Sequence, residues 1–262
     1  AIGEATKTIS YVVTAEKSYQ FTVRWGAETQ TDDSEGEITR TSNCCPSGDE
    51  IKAILPQFKG LIEQVPPIFS AVKVKGRRAY ALARDRTNPS DKLTDIVLNP
   101  REVMINKFEI NNHAGQQTTF TVQCSKGTYI RALARDIGRA LGSAAHVVFL
   151  ERRAVGRFKI EDAIDLDFFE KAVYDARSYD YVIPVMTVLD DIPALAITEQ
   201  EAQKLRFGQT LILDNDRSHK FLAASAASDQ TAPVTGLAAF GEKPIAIVRL
   251  EKQVVSSVRV LN

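Results

Sequence analysis

Cysteine, histidine, methionine and tryptophan are all scarce in this chain, with 3, 3, 2 and 1 copies. Cys44, Cys45 and Cys124 make an odd count without Cys-x-x-Cys spacing, and His113, His146 and His219 lie far apart, so no metal cluster is expected. No stretch approaches the roughly 18 consecutive apolar residues of a membrane span. No basic region leads into an apolar run, which argues against a signal peptide. The cytoplasm is the expected location.

Net charge is lacking too, with 33 Lys and Arg against 33 Asp and Glu, which argues at first against a nucleic-acid partner. The distribution reverses that reading. Basic residues number 6 against 9 acidic ones over positions 1–59, 17 against 8 over 60–160, and 10 against 16 over 161–262. A basic block between two acidic ones suits a protein that grips a polyanion locally, although a solvated basic face would give the same count. What is plentiful is ordinary globular composition: 262 residues, 44% hydrophobic and 25% charged, are enough for a full core and two domains of unequal size.

Ile9, Tyr11 and Val13, then Tyr19, Phe21, Val23 and Trp25, fall on one side of an alternating pattern, with Lys17, Gln20, Thr22 and Arg24 intervening, and predict strand up to Gly26. The polar run Thr29 to Gly36 predicts a loop and Ile38 to Thr41 a short return strand. Ser47 caps a predicted helix carrying Ile51, Ile54, Leu55 and Phe58, which Gly60 ends. Pro66-Pro67 fixes an extended backbone. Residues 85–100 read as an irregular, mobile excursion. Strands are expected over Val103 to Ile110 and Thr118 to Gln123, joined by a turn at Gly115, then a helix over Ile130 to Leu141, and a strand or short helix over Ala145 to Leu150. Helical stretches follow within Ile160 to Tyr181, and Pro184 and Pro193 bracket a linker around Asp190-Asp191. Beyond a helix at Glu199 to Leu205, strands near Thr210 to Leu213, Phe221 to Ala224, Pro244 to Leu250 and Val254 to Val260 suggest a small β-barrel.

Four groups could carry chemistry. Tyr19 shares the face of Phe21 and Trp25 and is either a stacking surface for a base or a core tyrosine. Arg131 opens a helix with Leu133, Ile137 and Leu141, so it is partly buried and needs an anionic mate, either a catalytic carboxylate or Asp136 or Glu151 as a structural pair. Lys73, Arg77, Arg78 and Arg84 surround Tyr80 in a segment suited to phosphates on a curved RNA surface. Asp32-Asp33 invites a reading as an acid and base pair, but adjacent loop residues rarely converge on one substrate atom, and backbone hydrogen bonds in a turn are the better expectation.

Several segments in order carry a resemblance: Gly3-Glu4-Ala5-Thr6-Lys7, Lys17-Ser18-Tyr19, the run Gln64 to Lys73, the run Arg77 to Arg84, the run Cys124 to Arg131, and the run Gly142 to Leu150. In these the chain resembles bacterial TruB-type tRNA pseudouridine-55 synthases, which isomerise a uridine in the T loop of tRNA. The resemblance implies an α+β class: a pseudouridine synthase fold with a mixed, largely antiparallel central sheet and flanking helices, plus a small C-terminal β-barrel-like PUA domain. The implied domains are 1–182, with 67–100 as a thumb that closes on RNA, and 183–262. It implies no cofactor and no metal, a tRNA T stem-loop as partner, no membrane, no obligate protein partner and a monomer.

Carried over residue by residue, the resemblance makes Tyr19 the tyrosine that stacks on the target base and Arg131 the arginine that pairs with the catalytic aspartate. Lys73, Tyr129 and Leu150 line the pocket, while Arg77, Arg78, Tyr80, Arg84, Lys126 and Arg152 contact RNA. Two departures stand out: Glu151 interrupts a Leu-Arg-Arg pattern, and Gln30 stands where an aspartate is common. The resemblance also places the family nucleophile, an aspartate, before Ala1. The expectation is therefore an enzyme that is active at full length and a chain that, alone, is an inactive piece lacking that aspartate. A noncatalytic tRNA-binding or tRNA-folding protein is the alternative.

Overall fold

The computed structural model describes residues 1–84, 96–175, 178–189, 192–224 and 232–261. It divides into two units, one of Thr14–Ala163 and one of Ala1–Val13 with Ile164–Asn262. The expectations for residues 85–95 of the excursion and for Asp190-Asp191 lie outside the described residues.

The chain enters through a 3-10 turn (Gly3–Thr8) and helix α1 (Ile9–Thr14), where alternation had predicted strand. Ile9 and Val13 are four residues apart, a spacing that fits a helix as well as a strand. The 3-10 turn that leads into α1 is tied by the Thr6 and Thr8 hydroxyls, which each donate at 2.7 Å to the carbonyl three residues back, at Gly3 and Ala5.

Strand β1 (Lys17–Trp25) begins the larger unit, followed by the hairpin β2 (Ala27–Thr29) and β3 (Ile38–Thr41). Helix α2 (Gly48–Ile54) starts as expected at Ser47, whose hydroxyl accepts from the Glu50 amide while the Glu50 carboxylate accepts from the Ser47 amide. Then come β4 (Gly60–Gln64), the two-residue ladder β5 (Lys73–Val74) and β6 (Arg77–Arg78), helix α3 (Ala79–Arg84), and the long hairpin β7 (Arg101–Ala114) and β8 (Gln117–Cys124). Helix α4 (Ile130–Ala140), β9 (Ala145–Val155) and β10 (Phe158–Lys159) complete it. The ambiguous stretch after Gly142 is strand.

Six strands form one sheet in the order β10-β9-β1-β8-β7-β4. Every strand pair in it is antiparallel, and a parallel bridge between Asp33 and Val147 adds the mixed element beside β9. Phe21 sits directly opposite Phe120, and with Phe108 on the next strand they form a ring cluster with centroids 5.3–6.0 Å apart. All three are buried, at about 2–3 kcal/mol of transfer free energy per ring. Helix α4 closes this core with Ile130, Leu133 and Ile137. Its approach to β9 depends on Gly138, where a Cβ would lie 2.7 Å from the Ala145 Cβ.

The second unit continues with helices α5 (Leu166–Tyr174) and α6 (Val185–Val188), strand β11 (Ala194–Ala196), helix α7 (Glu199–Arg206), strand β12 (Leu211–Ile212) and helix α8 (Asn215–Ala223). Strands β13 (Val234–Phe240), β14 (Lys243–Glu251) and β15 (Val254–Val260) follow. They form a partly curled sheet in the order β11-β13-β14-β15-β12, antiparallel except for the β11-β13 pair. The strand expected at Phe221 to Ala224 is the end of α8, which Asp214 initiates by accepting from the Arg217 amide at 2.8 Å. Strand β13 differs from the sequence expectation because small residues, at 236, 238 and 239, interrupt its apolar alternation. Gly236 is one of them, and a Cβ there would meet the Phe221 ring at 2.3 Å and the Pro193 carbonyl at 2.4 Å.

Candidate active site

Three arginines project from one face of α4 at intervals of four residues, and each meets an acid, two of them from the loop between β2 and β3 and the third, Glu28, from β2 itself. Arg131 donates through Nη1 to Asp33 Oδ2 at 2.9 Å. One turn on, Arg135 donates through Nη1 to Asp32 Oδ2 at 3.0 Å. Arg139 binds Glu28 through Nε and Nη2 at 3.0 and 2.8 Å, and Glu28 also accepts from Arg40. Four residues is just over one helical turn, so the three guanidinia share a stripe.

The backbone makes this possible at Asp32, where φ is +60°. Consecutive residues of an extended segment point to opposite sides. The left-handed turn at Asp32, a conformation that aspartate tolerates better than most residues, lets both carboxylates face the same helix. The turn is further tied down by the Val147 amide, which donates to the Asp32 carbonyl at 3.1 Å, and by Asp33 Oδ1, which accepts from Thr31 Oγ1 at 2.5 Å and from the Glu35 amide at 3.1 Å.

Arg131 therefore has its anionic mate inside the chain. It is neither Asp136, which accepts from Arg135 Nε, nor Glu151, which pairs with Arg153. Arg131 Nη1 also donates to the Thr31 carbonyl at 2.7 Å, and Nη2 donates to the Phe69 carbonyl at 2.9 Å. The side chain is 23% exposed. Arg135 likewise reaches the Val65 carbonyl at 2.8 Å, so the two arginines hold both the acidic turn and the Pro66-Pro67 segment against α4.

Burial works in the same direction on both carboxylates, Asp32 and Glu28, yet their net shifts have opposite signs. Burial pushes Asp32 up to about 6, against the opposing pull of Arg135, Arg131 and Arg139. Glu28 is also penalised by burial, but hydrogen bonds from Arg139 and Arg40 outweigh it and hold the group below the usual carboxylate range.

Tyr19 lies on β1 opposite Val122 on one side and Arg152 on the other, half-buried against the phenylalanine core. Burial raises its hydroxyl pKa, as does the neighbouring Cys124, while the Arg152 guanidinium facing it works in the other direction. Leu150 stands opposite Phe21 in the same pair of strands and is 44% exposed. Strand β9 thus connects the two groups, passing Asp33 at Val147 and Tyr19 at Arg152.

Tyr129 caps α4. Its amide donates to Gln64 Oε1 at 2.8 Å, Gln64 Nε2 returns a bond to its carbonyl at 3.1 Å, and the ring packs on the cluster of Val72, Ala79 and Leu98. Lys73 and Arg78 are cross-strand neighbours, with Arg77 beside them, all exposed. The Arg84 guanidinium lies 5.9 Å from the centroid of the Tyr80 ring. Lys126 occupies the exposed turn between β8 and α4. Among the described residues, no group of three or more His, Cys, Asp or Glu is placed to hold a metal ion, and no helix is long and apolar enough to cross a membrane.

The family profile for the TruB family pseudouridylate synthase (N terminal domain) matches residues 1–130, and that for the tRNA pseudouridylate synthase B C-terminal domain matches residues 131–192. The tRNA pseudouridine synthase B of Caulobacter vibrioides is 39% identical over 263 residues, across 100% of this chain and 81% of that protein. Its counterpart in Bradyrhizobium diazoefficiens is 46% identical over 219 residues, across 81% of this chain and 61% of that protein. Among solved structures, a chain of an H/ACA RNP bound to a substrate RNA containing 2'-deoxyuridine is similar with a TM-score of 0.67, at 18% identity over 100% of this chain and 71% of that one; the likeness is one of fold.

These matches correct one expectation. The N-terminal synthase domain is matched from residue 1 and the Caulobacter protein aligns with the whole chain, so the reading of this chain as an inactive piece lacking its catalytic segment is overturned. The start at Ala1 carries no case for lost activity.

Proposed function

Because the chain belongs to the TruB family of pseudouridylate synthases, we propose that it isomerises uridine to pseudouridine in tRNA and that it docks on the T stem-loop. The reaction exchanges the bond from the sugar C1' to the base N1 for one from C1' to C5. It is redox-neutral. The observation that carries the assignment at the site is the Arg131–Asp33 pair, an ion pair held at the edge of the central sheet by hydrogen bonds to two further backbone carbonyls. Fixed charges of this kind act more strongly in a poorly solvated cleft than in water.

Tyr19 offers an aromatic face for the target uracil once the base has left its stack, and Leu150 and Tyr129 line the same pocket. Arg152 orients the Tyr19 ring from the neighbouring strand. Lys73, Arg77, Arg78, Arg84 with Tyr80, and Lys126 supply phosphate contacts that recognise RNA mainly by shape. The C-terminal sheet serves as a PUA-like accessory that contacts tRNA away from the reacting base. The enzyme works as a cytoplasmic monomer without cofactor or metal.

The test uses full-length protein and tRNA transcript tritiated at uridine C5, because C5 loses its hydrogen when it bonds to the sugar. Stoichiometric release of tritium supports the reading. Tight tRNA binding with no release would replace it with a noncatalytic binder. Replacing Tyr19 with Ala is expected to lower kcat about a hundredfold while changing Tm by only a few degrees; an equal loss of folding would return Tyr19 to the core.

A further inference from the structure

We propose that Asp32 and Arg135 are positioning residues that set the geometry of the Arg131–Asp33 pair without touching RNA. The inference rests on the proposed synthase activity of that pair and deepens it. The second ion pair repeats the first one helical turn along α4: each guanidinium takes one acid from the same turn and one carbonyl from the same Pro66-Pro67 segment, Phe69 for Arg131 and Val65 for Arg135. The two pairs differ in accessibility. Side-chain exposures are 23% and 25% for Arg131 and Asp33 but 10% each for Arg135 and Asp32, so the second pair is closed to a phosphate or a base.

Asp32 and Asp33 are adjacent on a backbone that has little freedom. The positive φ at Asp32 is what turns both carboxylates to one side. The carbonyl of Asp32 is fixed by the Val147 amide, and the close packing of Gly36 on Thr31, where a Cβ would lie 2.5 Å from the Thr31 hydroxyl, removes slack from the turn. An ion pair at Asp32 therefore fixes the direction in which Asp33 leaves the chain. Arg135 is itself aimed by the Asp136 carboxylate on its Nε at 2.9 Å. Burying two charges is costly unless their geometry is well satisfied, and here every named donor has an acceptor. A core of apolar residues would fill the same space, but it would not aim the neighbouring carboxylate.

The experiment compares Asp32→Asn and Arg135→Lys in the full-length protein. Asparagine tolerates the left-handed conformation, and lysine keeps the charge while losing the fork that reaches Val65 and Asp136. Each is expected to lower kcat about tenfold or more on C5-tritiated tRNA, with KM for tRNA within about twofold of the parent. In an Asp33→Asn background the Asp32→Asn change is expected to cost nothing further, since it acts through Asp33. Losses that multiply independently in the two backgrounds, or kcat unchanged in both single variants, overturn the proposal. If the parent protein releases no tritium, the functional reading fails instead. The positioning claim is then read by nitrogen-15 NMR of the Arg131 guanidinium: its slowly exchanging Nη protons are expected to be lost in Asp32→Asn, and their persistence overturns the claim.

Discussion

The basic block of this chain contains two populations of cations that differ in what surrounds them. On α4, Arg131, Arg135 and Arg139 all face carboxylates from one short segment. On the β5-β6 ladder, Lys73 and Arg78 stand exposed as cross-strand neighbours. In the first population Arg131 and Arg135 organise the interior while Arg139, itself exposed, holds the buried Glu28 from outside; the second offers charge to solvent and to a polyanion. A local excess of basic residues is therefore a poor measure of binding capacity until the buried pairs have been subtracted.

Substitutions should separate the two populations. The largest effect is expected at Arg131→Ala, which leaves Asp33 without its partner: kcat should fall roughly a thousandfold, measured by tritium release. Retained turnover would move the charged centre elsewhere. Second is Phe120→Ala, which touches neither population but opens the ring cluster between β1 and β7; chemical denaturation should show a loss of about 3–5 kcal/mol. A much smaller loss would mean that the sheet tolerates the cavity by collapse.

Third, the double change Lys73→Glu with Arg78→Glu should raise KM for tRNA about tenfold and lower the steepness of its salt dependence, leaving kcat and Tm near the parent values. If kcat fell instead, the ladder would belong with the α4 group. The smallest effect is a titration. With its pKa raised to about 6, Asp32 keeps a proton in the folded state that the unfolded chain has already released, so its contribution to stability grows as pH falls from 7 to 5. Glu28 has the opposite sign: its pKa is lowered, and its contribution is lost as pH falls through the folded value. Melting curves of the parent and Asp32→Asn should move in the parent's favour on acidification; a gap independent of pH would contradict the raised value.

Much of the sheet was legible because its strands alternate cleanly and its core is aromatic, as at Phe21, Phe108 and Phe120. The Ser47 cap and the helix at Ile130 followed from short-range chemistry. The failures have local causes. Ile9 to Val13 satisfies two periodicities at once. In strand β13 Gly236, Ala238 and Ala239 stand among Val234, Leu237 and Phe240 and break the alternation that would have signalled burial by pattern. Phe221 lies at the end of a helix whose start, at Asp214, was overlooked.

At the site, the reading located Arg131 and foresaw that it needs an anion, but sought that anion at Asp136, at Glu151 or beyond the chain. The signal for the answer was present as the spacing Arg131, Arg135, Arg139. It was hard to use because the matching acids lie about a hundred residues away, and because only a left-handed residue allows Asp32 and Asp33 to face the same way. The expectation that these aspartates accept hydrogen bonds in a turn was correct for Asp33, whose Oδ1 does so; the ion pairs were additional.

Gly138 has a consequence for how this site can change over time. With no room for a methyl group between α4 and β9, the helix can neither roll nor slip along the strand beneath it. Inserting a single residue ahead of Arg131 would rotate the helix by about 100° relative to its contacts and detach all three guanidinia together. Descendants of this sequence can alter the loops on either side of α4 with some freedom, while the helix itself is inherited as one indivisible piece.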